Sequence, residues 1–165
     1  MGTYTHAHPE VASLPHRPYG AGALAGLIAG IVMAIVSMIV AATTGAGASM
    51  PLRGIAAALY GVDALVGGRG ILLVGLMIHL AVSVVAGLVF AGIVGNVRTG
   101  VAFGAGIVYG IIIWAVNTFG ILPAIDPTMS ARLAMMPGPW FVFHLIYGGM
   151  MFLVPILHGT PASER

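Results

Sequence analysis

Two histidines, His79 and His144, lie within stretches otherwise apolar for long enough to cross a lipid bilayer. Residues 71–94 read ILLVGLMIHLAVSVVAGLVFAGIV, and residues 140–157 read WFVFHLIYGGMMFLVPIL. A leucine follows each histidine, and a Leu-Val pair comes nine residues after it, Leu88-Val89 and Leu153-Val154. An imidazole left unpaired in hydrocarbon costs free energy, so it faces protein or water and marks a candidate site. Three chemistries are open to this pair. Neutral imidazoles from two helices can fill both axial positions of a b-type haem iron. They can instead hydrogen-bond neighbouring helices and fix the packing register. Or His79 and His144 can ligate a metal, or relay a proton, together with Asp63 or Asp126.

Ser37 and Asn117 are the notable polar residues inside the other two apolar stretches. Counted at about 1.5 Å per residue from the long-loop ends of their helices, Ser37, His79, Asn117 and His144 all fall roughly 7–12 Å deep. Asp63, Asp126, Arg53 and Arg132 belong to the loops directly above that layer. In the haem reading Arg53 or Arg132 holds the propionates, and Ala41, Ala42 and Gly120 leave room for the macrocycle. In the hydrogen-bond reading Ser37 pairs with His79, and Asn117 with His144.

Four apolar runs must position these groups, over about 21–44, 71–94, 101–122 and 139–157. The first, at about 24 residues, reaches about 36 Å and spans with some tilt. Its Gly22, Gly26, Gly30 and Ala34 recur every four residues, a spacing that lets a second helix backbone approach closely. Residues 45–70 are too interrupted to span; 50–61 reads as a short helix with Pro51 in its first turn. A tight turn around Asn96 joins the second and third runs, and the third is expected to end at Pro123. Residues 123–139 form a second long loop with a short helix over 128–135. Pro155 lies in the last turn of the fourth run.

The expected fold is therefore all-α: an integral membrane four-helix bundle over 21–158, with short interfacial helices in its two long loops. A polar tail of 1–20, with His6, His8 and His16, precedes it, and a tail of 159–165 follows. The first apolar run is too long and starts too late for a secretory signal. The halves also resemble each other. Gly26-Leu-Ile-Ala-Gly30-Ile matches Gly106-Ile-Val-Tyr-Gly110-Ile at an offset of 80, and the histidine segments match at 65. Two helices per copy makes the repeats parallel, about an axis along the membrane normal.

Composition excludes several function classes. The chain has 165 residues, 6% of them charged and 59% hydrophobic, with mean hydropathy +1.07. A soluble domain carries about 25% charged residues, so the partner of this surface is the lipid bilayer. The absence of cysteine removes disulfides, thiolate-bound clusters and covalently attached haem. A net charge of +2 without a basic cluster leaves no footprint for nucleic acid. No nucleophile stands at a recognisable spacing from a base, and no H-E-x-x-H is present. Even spans place both tails on one side, and the arginines divide evenly: Arg17, Arg98 and Arg165 against Arg53, Arg69 and Arg132. A cytoplasmic location of both tails is the expectation.

The G-x-x-x-G openings of the first and third runs, with the IHL and FHL starts of the second and fourth, resemble small four-helix bacterial inner-membrane proteins. In architecture alone, the paired-histidine bundle resembles membrane cytochrome b subunits of respiratory complexes, with one histidine pair in place of two. The resemblance implies a small inner-membrane subunit of a respiratory or other redox complex, with other membrane subunits as partners. One b-type haem between His79 and His144 would then serve electron transfer. The alternatives are a cofactor-free accessory subunit, or a small homo-oligomeric channel or transporter.

Overall fold

A computed structural model describes residues 17–159, and among these all regular structure is helical. Expectations placed on the tails, including His6, His8, His16 and Arg165, lie outside the described residues. Helix α1 covers Tyr19–Thr43, α2 Met50–Tyr60 with Pro51 in its first turn, and α3 Arg69–Val94. A 3-10 turn, Val62–Val66, links α2 to α3. Helix α4, Thr99–Val116, runs through a π-turn, Asn117–Ile121, into α5, Leu122–Ile125. Helix α6 is Pro127–Ala134, and α7, Pro137–Gly149, continues through Met150–Phe152 into α8, Leu153–His158.

Four helices are thus long and apolar enough to cross a membrane: Tyr19–Thr43, Arg69–Val94, Thr99–Ile125 and Pro137–His158. By length and composition this is a multi-pass membrane protein. In hydrocarbon every peptide group must bond within its own segment, which is why such runs become unbroken helices. Their large apolar side chains point outward, among them Ile35, Ile39, Met77, Val82, Val108 and Ile112.

Pro123 does not end the third span. Proline lacks an N–H and crowds the carbonyl four residues back, which breaks an ordinary helix. Here the π-turn comes first: the Leu122 N–H donates to the Asn117 carbonyl five residues earlier. The wider turn absorbs the defect, and the helix continues to Ile125.

The four spans form a ring in chain order. The first lies chiefly against the second and the third against the fourth, the first also packs on α7 and α8, and α3 touches α4 only lightly. Lipid supplies no hydrophobic drive between helices, so the seams rely on close backbone contact. A Cβ on Gly26 would strike the Ser83 carbonyl, and one on Gly106 the Gly148 carbonyl. The core between the seams is small-grained, with Ala25, Ala29 and Ala91 beside Phe90, Met151 and Val154. Helix α2 folds back onto α3, where Gly75 makes room for the Leu52 carbonyl.

Candidate functional site

Both intramembrane histidines are held by backbone carbonyls. His79 Nε2 lies 2.9 Å from the Gly30 carbonyl oxygen on α1. A carbonyl only accepts, so this nitrogen carries the proton and donates it. His144 is buried, and its Nδ1 lies 2.9 Å from the Trp140 carbonyl, one turn back on α7. By the same argument Nδ1 is the protonated nitrogen. The Nε2 lone pair then faces the Asn117 amide, whose Nδ2 donates to it across 3.4 Å.

The π-turn is what gives this corner its polar lining. It begins at Asn117, and the next residue, Thr118, also reaches α7: Trp140 Nε1 donates to Thr118 Oγ1 at 2.8 Å. The Trp140 ring stands edge-on to His144, with ring centres 4.3 Å apart and planes at 80°. Trp140, His144, Asn117 and Thr118 therefore form one closed network between the third and fourth spans.

A second network centres on α3. Ser83 Oγ donates to the His79 carbonyl at 2.7 Å. The Ser83 carbonyl in turn accepts from the Tyr147 hydroxyl at 2.6 Å. Tyr109 donates to the Ala86 carbonyl at 2.8 Å, and its ring is tilted against Phe90. Neither tyrosine nor Ser83 was among the sequence candidates. A phenol inside an apolar span must find an acceptor, and that rule was the available signal for both tyrosines.

The remaining candidates are scattered. Ser37 Oγ donates to the Ala34 carbonyl of its own helix at 2.9 Å, and His79 is bonded to Gly30 instead. Arg53 Nη1 donates to the Leu65 carbonyl at 3.2 Å, while its buried Nε has no partner. Arg132 lines a cavity at the loop end. Asp126 is buried and caps α6, accepting from the Met129 N–H at 2.8 Å. Asp63 is exposed in the 3-10 turn. Among the described residues no three His, Asp or Glu side chains converge as metal ligands would.

As arranged, the two Nε2 atoms do not offer free lone pairs to a haem iron held between them. Each ligating nitrogen must offer a free lone pair. His79 Nε2 is protonated towards Gly30, which leaves the lone pair of that ring on Nδ1, and the His144 Nε2 lone pair is taken by Asn117. The small residues expected to make room are not arranged for it: Ala41 is buried, whereas Ala42 and Gly120 are exposed. What the arrangement can do is bind helices to one another through polar side chains. No family model, no curated protein and no solved structure matches this chain.

Proposed function

We propose that this protein is a cofactor-free accessory subunit of a larger membrane assembly, a helical scaffold whose intramembrane histidines fix the register of its spans. One observation carries the reading: both rings are committed to partners within the bundle, His79 to Gly30, and His144 to Trp140 and Asn117. The larger assembly is supported by Gly100 and Gly104 on α4, which have open space beside them where another helix backbone would fit. A respiratory or other redox complex of the bacterial inner membrane is the assembly proposed, with both tails cytoplasmic and α2 and α6 at the interface. The two-repeat origin is supported by equivalent seams: Gly26 on Ser83 and Gly106 on Gly148 keep the offsets of 80 and 65.

The visible spectrum tests this reading. Protein purified from its own, haem-replete host should be colourless, and His79→Gln, which can still donate to Gly30, should fold normally. A band that sharpens on reduction and vanishes in His79→Ala or His144→Ala would overturn the reading and establish haem ligation. Native mass spectrometry after mild extraction tests the assembly: co-purifying unlike subunits are expected. A symmetric homo-oligomer would favour the channel or transporter instead.

A further inference from the structure

At the long-loop end of the bundle, α2, the 3-10 turn and the corner between α5 and α6 line a half-open cavity of about 220 Å³. Helix α2 reaches α6 there because Gly54 leaves room for the tip of Met129. The walls are apolar along Ala57, Ala58 and Leu65, and charged at the corner, where Asp126 and Arg132 both line the space. The α6 cap uses one Asp126 oxygen, Oδ1. Among the described residues neither Asp126 nor Arg132 enters an ion pair.

The cavity lies at the end of the third candidate span, since Ile125, on its wall, is the last residue of that helix, the depth at which headgroups are expected. Val62 and Ile125 line it as well and are themselves exposed, forming an apolar rim. We propose that this cavity binds the headgroup of a zwitterionic aminophospholipid. The Arg132 guanidinium takes the phosphodiester, a planar donor fork that matches phosphate geometry. The free oxygen of Asp126 accepts from the primary ammonium, and the acyl chains leave past Val62 and Ile125. One acid and one base match a headgroup of zero net charge. An anionic headgroup would leave the buried carboxylate uncompensated, and a quaternary ammonium has no N–H to give it.

The test uses the full-length protein in bilayer discs of phosphatidylethanolamine, phosphatidylcholine and phosphatidylglycerol in equal parts, with bound lipid read by native mass spectrometry. Phosphatidylethanolamine should be retained selectively. Arg132→Gln should lower that retention about tenfold, the loss of one charge-assisted contact. Asp126→Asn still caps α6, so it keeps the fold and should erase the preference for the ethanolamine lipid over the choline lipid. Arg98→Gln, in the turn at the other end of the bundle, should change nothing. Equal retention of the three lipids, or unchanged retention in both Arg132→Gln and Asp126→Asn, overturns the proposal. Millimolar O-phosphoethanolamine should fail to displace the lipid; displacement at micromolar concentration would reassign the cavity to a soluble phosphate ester.

Discussion

The hydroxyl of Tyr147 donates to the carbonyl oxygen of Ser83, 2.6 Å away, and so ties α7 to α3 across the diagonal of the ring. The same carbonyl is the atom that a Cβ on Gly26 would strike. Three of the four spans therefore meet at one peptide group of α3. Removing only the hydroxyl, in Tyr147→Phe, keeps the ring and its packing. The expected loss is about 1 kcal/mol, in line with interhelical hydrogen bonds in membranes. Unfolding by denaturing detergent in mixed micelles measures it; an unchanged midpoint would show that the bond contributes nothing.

Glycine positions divide sharply by what faces them. Gly148→Ala would drive a methyl group into the Gly106 carbonyl and the Gly110 backbone, with no flexible side chain to yield. It should cost about 2 kcal/mol, typical of overpacking. Gly104→Ala meets open space, and it should be neutral or slightly stabilising, since alanine favours helix. Equal effects of the two substitutions in the same unfolding assay would mean the third and fourth spans do not pack this way.

At the π-turn, Asn117→Leu should leave the His144 Nε2 lone pair without its donor. An unsatisfied buried acceptor costs about 1–3 kcal/mol, so this variant should be clearly less stable than Ser37→Ala, whose side chain only bonds its own helix. The comparison, made on purified protein by thermal melting, separates a working contact from an incidental one.

Because the chain has no cysteine, single cysteines report sidedness without background. Cysteines at Ser13, Thr99 and Thr160 should react from one face of the membrane, and those at Ala48 and Thr128 from the other. Reaction of both sets from a single face would end the four-span topology.

Hydropathy made the spans legible because lipid forces each apolar run to satisfy its own peptide groups, leaving helix as the answer. The third span was read too short: a proline is visible in sequence, but the π-turn that rescues it is a backbone adjustment with no residue signature. The partner of His79 was illegible for a related reason. Its acceptor is a main-chain carbonyl, and every residue of a neighbouring helix offers one, so the side-chain pattern points to Ser37 where the structure uses Gly30. Asn117 and His144 were legible as a pair because both are side chains whose depths can be counted along their helices.

The glycine ladder of α1 has a consequence for how the spans keep their places. Gly22, Gly26 and Gly30 repeat every four residues, so a slide of one rung, about 6 Å, meets another small residue. Van der Waals contact alone is a vernier without a zero mark. The zero is set by the few polar side chains aimed at single carbonyls, Tyr147 on Ser83 and His79 on Gly30. They act as detents on an otherwise smooth rail, and a chain stripped of both would keep its helices while losing its one alignment.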